Sequence, residues 1–219
     1  MLSNEIIEKL DQEQNLTPEE IKYVLEYIMK EAKNKNGITE TNQQLYFKRP
    51  DKIVIKDYTV CEECSDTIAE LCHGFKIKNC MVDTQRLGIP DLKHYFQIIK
   101  FNSEENLIFI VDLTYIQFLK NTYPVHINGK PVDVVAPGKF FSTKNKNELM
   151  WNGYITCTEQ NFKDYISAFI KSNKTGRNID ENAILDFAIS QVSSVFGFTN
   201  VRDFGQLLED ELEKHKTNS

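Results

Sequence analysis

Hydrophobic residues recur at helical spacing near the start of the chain. One face of the predicted helix combines residues spaced three or four apart: Ile21, Val24, Leu25, Ile28 and Met29. The segment just before them has the features of a helix start, with Thr17 as the N-cap, Pro18 at the first helical position and Glu20 closing a capping box. A shorter amphipathic stretch covers residues 4–14, so the pattern predicts a helical N-terminal segment.

The middle of the chain changes to the pattern of strands. Residues 92–101 (LKHYFQIIKF) are rich in aromatic and β-branched side chains, and residues 107–112 (LIFIVD) form a second such run. Because only the polar residues 102–106 separate them, the two runs predict an antiparallel hairpin. The shorter run Lys52–Lys56 (KIVIK) is a further strand candidate, and residues 61–75 have the pattern of a helix.

Helical spacing returns in the last third of the chain. Thr156 and Glu159 have the spacing of a capping box, apolar residues follow from Phe162 to Ile170, and residues 181–196 and 205–214 predict two further helices. The expected fold class is therefore α+β, with helices at both ends flanking a central antiparallel sheet. We divide the chain into an N-terminal helical segment (1–45), a central domain (46–175) and a C-terminal helical segment (176–219).

Composition and charge narrow the classes of protein. The 219 residues are 41% hydrophobic and 26% charged, which is typical of a globular chain with a sizeable core. No apolar run approaches the ~18 residues of a membrane span, and the N-terminus lacks the pattern of a classical signal peptide. The net charge of −6 argues against a nucleic-acid partner.

The five cysteines carry more information about chemistry. An odd number in a chain of this length argues against a secreted disulfide framework, yet four of the five lie between Cys61 and Cys80. Thr59 and Glu62 have the spacing of a capping box, which places Cys61 in the first turn of a helix, where the helix dipole favours a thiolate. Cys64 and Cys72 lie in the middle of the inward face of that helix and are explained as small buried hydrophobes.

A thiol nucleophile needs a base, and the base needs an orienting group. His94 and Asp112 supply both within the predicted hairpin. If Phe101 and Leu107 flank the turn, His94 and Asp112 become opposite or diagonal neighbours on one face of the sheet, about 5–8 Å apart. An acidic residue that ends an otherwise apolar run is also poorly explained by core packing.

Other interpretations of the same residues stay open. His94 alone fits a structural histidine, and Asp112 alone fits a cap of the following turn. Cys61, Cys64, Cys72 and Cys80 have the ligand type of a zinc-binding interaction module, although a helix between the first three is unlike a zinc ribbon. A catalytically dead adaptor with the same fold is a third possibility. We expect no metal and no cofactor.

Two segments resemble the papain-like/transglutaminase-like Cys-His-Asp superfamily, and within it the bacterial toxin and effector domains that deamidate protein glutamines. The C-x-x-x-S run followed by Leu and Gly is matched by Cys61, Ser65, Leu71 and Gly74. The D-P-T-x-x-Q-F segment is matched by residues 112–118 (DLTYIQF), where Leu113 replaces the usual Pro.

The resemblance implies a papain-like fold in which a central antiparallel sheet packs against a helix that begins with the nucleophile. It implies Cys61 as nucleophile, His94 as base and acid, and Asp112 as the residue that holds the imidazole. Gln117 is the candidate oxyanion donor beside the backbone N–H of Cys61, with Gln43 and Gln44 as alternatives.

The same triad also serves transglutamination and proteolysis, so the exact reaction stays open. The expected function is a thiol-dependent hydrolase (protein glutamine deamidase) acting on a protein substrate, with a host protein as one candidate. It would act in a cytoplasm, either its own or that of a host cell reached without a classical signal peptide.

Overall fold

The computed structural model describes residues 1–36, 38–41, 44–47, 59–89, 91–119, 121–127, 129–173, 179–201 and 203–217. The predicted strand Lys52–Lys56 and the alternative oxyanion residue Gln43 lie outside these ranges. Within them the fold is mixed α+β, as the sequence predicts.

Seven α-helices lie in the described part of the chain: α1 (Asn4–Asp11), α2 (Pro18–Lys35), α3 (Thr59–Gly74), α4 (Thr143–Asn152), α5 (Glu159–Ser172), α6 (Glu181–Val195) and α7 (Phe204–Thr217). Two short 3-10 helices, here called the first and second 3-10 helix, cover Tyr115–Leu119 and Pro137–Lys139. No helix among the described residues is both long enough and apolar enough to cross a membrane.

A four-stranded antiparallel sheet forms the centre of the molecule. Its strands lie in the spatial order β3, β4, β5, β8: β3 (Lys78–Asp83), β4 (Tyr95–Lys100), β5 (Ile108–Val111) and β8 (Tyr154–Thr156). Two separate hairpins pair β1 (Ile38–Thr41) with β2 (Gln44–Phe47), and β6 (Thr122–Ile127) with β7 (Lys130–Val135).

Strands β4 and β5 are buried on both faces, so each face of the sheet has its own hydrophobic core. Phe96, Ile98 and Ile110 belong to a core that includes side chains of α5 and α6. Alternate residues such as Ile99 and Phe109 belong to a second core that includes side chains of α1, α2, α3 and α7. The helices from both ends of the chain therefore bury apolar surface against the same sheet.

The predicted hairpin has the register that the sequence suggested. Gln97 pairs with Val111 and Ile98 with Ile110, and the N–H of Phe101 donates to the carbonyl of Leu107 at 3.0 Å. Continuing this register sets Asp112 across from Phe96, so that His94 and Asp112 are diagonal neighbours. Both therefore lie on the sheet face covered by α5.

The start of α2 is also as predicted. The Thr17 side chain accepts from the N–H of Glu20, the Glu20 carboxylate accepts from the N–H of Thr17, and Pro18 occupies the first turn. The start of α5 differs from the prediction, because the N-cap is Thr158, whose hydroxyl accepts from the N–H of Asn161. Thr156 instead ends β8, where it pairs with Phe109.

Candidate active site

Cys61 lies in the first turn of α3. The helix begins at Thr59, which we predicted as the N-cap, so Cys61 is the third helical residue rather than the second. Its side chain belongs to the inward face of α3, and only 9% of the residue is exposed. The free N–H groups of the first turn favour negative charge at this position.

A side-chain amide ties α3 to the central sheet close to this turn. Gln97 of β4 is fully buried, and its Nε2 donates to the backbone carbonyl of Ser65 at 2.9 Å. Ser65 lies one helical turn after Cys61. The bond therefore fixes the N-terminal half of α3 against the strand that follows His94.

His94 precedes β4 and its backbone is held firmly. Its N–H donates to Oγ1 of Thr84 at 2.9 Å, and its carbonyl accepts from the N–H of Thr84 at 3.0 Å. The imidazole is completely buried, with the ring of Phe169 stacked on it at 5.3 Å and the ring of Phe118 edge-on at 4.7 Å. Aromatic side chains therefore pack against the imidazole on two sides.

Asp112 follows β5 and accepts four hydrogen bonds. Oδ2 accepts from Nε2 of His94 at 2.8 Å and from the hydroxyl of Tyr165 at 2.6 Å. Oδ1 accepts from both the N–H and the hydroxyl of Thr114, each at 3.0 Å. The N–H of Asp112 donates to the carbonyl of Gly153 at 2.9 Å. A buried carboxylate is stable only when it is bonded in this way.

The electrostatics of the site favour a protonated imidazole. Burial lowers the pKa of His94, but the charge and hydrogen bond of Asp112, with a smaller contribution from Cys61, raise it from 6.5 to about 10. The other ring nitrogen, Nδ1, makes no hydrogen bond of ordinary geometry to the described residues. Nδ1 is therefore the ring nitrogen through which the neighbouring Cys61 thiol would act on the imidazole.

Gln117 lies in the first 3-10 helix, three residues after Thr114. Its backbone N–H donates to the carbonyl of Thr114 at 3.1 Å. This bond links Gln117 to the residue whose side chain contacts Asp112. Its side-chain Nε2 is buried and has no hydrogen-bond partner among the described groups. An unpaired buried donor is costly and is typical of a site that awaits an acceptor. Gln44 begins β2.

The remaining cysteines are placed differently. Cys64, Cys72 and Cys157 are buried, and burial raises the pKa of the Cys72 thiol to about 12 and that of Cys157 further. Cys80 is exposed on β3, and partial desolvation raises the pKa of its thiol. Within the described ranges, no group of three or more His, Cys, Asp or Glu side chains could hold a metal ion, and this includes the cysteines.

Two groups that hold Asp112 escaped the sequence reasoning. Tyr165 lies within the apolar run predicted for α5, and spacing could not reveal its bond because its partner lies 53 residues earlier in the chain. Thr114 had a local signal, since Asp112-Leu113-Thr114 has the spacing of a side-chain turn, and the capping role considered for Asp112 exists beside its bond to His94.

The chain has no recognisable relative in three comparisons: no protein-family model matches it, and neither a curated protein nor a solved structure does.

Proposed function

We propose that this protein is a thiol-dependent hydrolase that acts on the side-chain amide of a protein glutamine. In this proposal Cys61 is the nucleophile, His94 the general base and acid, and Asp112 the orienting carboxylate. One observation carries the proposal: His94 bonds Asp112 through one ring nitrogen, while the Cys61 thiol interacts with the same imidazole.

The contacts of the three residues suit a defined sequence of steps. With the proton of Cys61 already on His94, the thiolate attacks the carboxamide carbon to form a tetrahedral oxyanion. His94 then protonates the leaving nitrogen, ammonia departs and a thioester remains. Water attacks the thioester with His94 as base, which releases glutamate and restores the thiol. Throughout, Asp112 fixes the imidazole and stabilises its charged form.

The oxyanion needs donors that are not already used. The backbone N–H of Cys61 in the first turn of α3 and the unpaired Nε2 of Gln117 are our two candidates. Both come from segments that adjoin triad residues in the chain.

The choice of a glutamine side chain rests on the resemblance of residues 61–74 and 112–118 to bacterial deamidase domains, which also motivates a papain-like fold. The small exposed fraction of Cys61 is compatible with a narrow opening that admits one side chain. The same thioester would transfer to an amine in a transglutaminase. The substrate protein would be met in a cytoplasm, the cell's own or that of a host.

The test uses unfolded casein and benzyloxycarbonyl-glutaminylglycine as generic glutamine substrates. We expect ammonia release and a gain of about one mass unit per modified glutamine, without chain cleavage. Cys61→Ser should abolish the reaction and keep the circular dichroism spectrum. Cys80→Ser, which changes an exposed thiol, is the matched control and should retain activity.

The outcomes separate the parts of the proposal. Cleavage of the casein backbone that depends on Cys61 would show that the reaction class is wrong and the nucleophile right. Full activity of Cys61→Ser would show that both are wrong.

A further inference from the structure

Tyr165 of α5 bonds the same carboxylate oxygen that holds the imidazole. Its hydroxyl donates to Oδ2 of Asp112 at 2.6 Å, and this oxygen also accepts from Nε2 of His94 at 2.8 Å. The tyrosine is fully buried. Burial first, and then the charge of Asp112, raise the pKa of Tyr165 well above 10, so the hydroxyl stays protonated and remains a donor.

The two oxygens of Asp112 are held by residues from different parts of the chain. Thr114, two residues away, donates two hydrogen bonds to Oδ1, and both come from the same turn. Tyr165 reaches Oδ2 from a different element. One helical turn later, Phe169 stacks on the imidazole at 5.3 Å, so a single face of α5 contacts both His94 and its carboxylate.

We propose that Tyr165 is a positioning residue of the candidate active site, whose hydroxyl holds Oδ2 of Asp112 in line with Nε2 of His94. The arrangement is then a chain of four groups, Cys61, His94, Asp112 and Tyr165. This inference rests on the proposed function, since it assigns Tyr165 a part in forming the thiolate–imidazolium pair.

The chain contains a matched control for this hydroxyl. Tyr115 is also fully buried, and its ring lies 5.8 Å from the ring of Tyr165. Burial first, and then the charge of Asp112, raise the pKa of both hydroxyls. The hydroxyl of Tyr115, however, makes no hydrogen bond to the described residues. Tyr165→Phe and Tyr115→Phe therefore remove the same atom at neighbouring sites, and only the first removes a bond to Asp112.

The first readout is the rate of Cys61 alkylation by iodoacetamide as a function of pH, which needs no amide substrate. In Tyr165→Phe the carboxylate is less firmly held under the imidazole, so the acidic limb of the profile should move up by about 0.5–1 pH unit. The value of kcat/KM on casein should fall about tenfold, the effect of losing one hydrogen bond to a charged group. Tyr115→Phe should leave both unchanged, and 3-fluorotyrosine at position 165, which keeps the hydroxyl, should restore wild-type behaviour.

The second readout is the ¹⁵N chemical shift of His94 Nε2, which requires no chemical reaction at Cys61. A shift that changes in Tyr165→Phe and not in Tyr115→Phe supports the positioning role even if Cys61 proves unreactive, a result that would overturn the proposed function alone. Identical alkylation profiles and identical His94 shifts in wild type and Tyr165→Phe would overturn the inference. So would equal effects of the two tyrosine variants.

Discussion

His94 is buried among aromatic rings, yet its pKa is raised to about 10 by Asp112 and Cys61. A histidine whose pKa is higher in the folded than in the unfolded protein stabilises the fold below the unfolded value of about 6.5. That stability is lost as the pH rises through the folded value. We therefore expect the free energy of unfolding to fall between pH 6.5 and 10, on the order of a few kcal/mol at about 1.4 kcal/mol per pKa unit. Urea unfolding across this range measures it.

Asp112→Asn is the comparison for this pH dependence. Without the carboxylate, burial dominates and disfavours the imidazolium. The stability of the variant should then rise with pH near 6.5 instead of falling above it. Both proteins keep every titrating side chain except Asp112, so the difference between the two curves reports on the groups that Asp112 contacts, His94 first among them. Parallel curves would contradict the raised pKa.

The rates at which the individual cysteines are alkylated in the native protein should depend differently on pH. Cys61 interacts with a protonated imidazole, whereas desolvation raises the pKa of Cys80. We expect iodoacetamide to label Cys61 before Cys80 at pH 6.5, and Cys80 to gain as the pH approaches 9. Peptide mass spectrometry reads the order of labelling. Labelling of buried Cys72 first would contradict the assignment of the nucleophile.

The pairing of His94 with Asp112 was predictable because both residues lie in one hairpin. Fixing Phe101 opposite Leu107 fixes every other pair of the two strands, including the diagonal neighbours. The bond from Tyr165 joins two elements whose relative position depends on packing across the whole sheet. Sequence spacing alone shows which face of the helix Tyr165 occupies, and it does not show which residue that face contacts.

At the scale of elements, the two 3-10 helices approach each other at Gly138. A Cβ at this position would overlap the backbone carbonyl oxygen of Phe118 and lie 3.1 Å from its carbon. Backbone atoms do not yield as a flexible side chain would. We expect Gly138→Ala to lower the free energy of unfolding by about 1–3 kcal/mol and to disturb the ring of Phe118 against His94, which thermal unfolding and activity assays together would detect.

Gly74→Ala is the matched control for this substitution. Gly74 ends α3, and no heavy atom lies within 4 Å of its added Cβ. The variant should be within about 0.5 kcal/mol of the wild type or slightly more stable, since alanine favours helix. Equal losses at the two positions would indicate that the close approach at Gly138 is not the cause.

The Thr17 capping box makes a second prediction for an element. Removing the hydroxyl in Thr17→Ala leaves the N–H of Glu20 without its acceptor and should cost about 1 kcal/mol. Thr17→Ser keeps the oxygen and should cost much less. Chemical denaturation of the two variants gives the comparison, and an equally large loss in Thr17→Ser would contradict the capping role.

Sequence spacing correctly identified Thr17 as the N-cap of α2. For α5 it placed the N-cap at the wrong threonine. Thr156 and Thr158 both precede the apolar run, and only Thr156 has Glu at the capping-box distance. In the folded protein Thr156 pairs with β5, so the helix starts two residues later. Helix α4 was not predicted because its segment is polar, and the β6–β7 hairpin was not predicted because Pro124, Gly129 and Pro131 interrupt its pattern.

At the scale of the molecule, the helices of the N-terminal segment share a core with the central sheet. Leu25 of α2 is fully buried in the cluster that contains Ile99 and Phe109. Leu25→Ala should therefore cost about 2–5 kcal/mol and leave a single unfolding transition.

Lys30→Ala, an exposed change on the same helix, serves as the control and should be nearly neutral. Far-ultraviolet and near-ultraviolet circular dichroism would follow helices and tyrosines separately during unfolding. Two separate transitions in Leu25→Ala would indicate that α1 and α2 form a unit of their own.

The single tryptophan gives this protein a built-in optical reporter. Trp151 is 63% exposed at the end of α4, beside a surface cavity of about 350 Å³ that Lys30, Lys33 and Tyr154 also line. Two residues further on, the carbonyl of Gly153 accepts the N–H of Asp112. The emission of one indole therefore originates close in the chain to the backbone that holds Asp112, and fluorescence titration would register any ligand that binds beside it without a label.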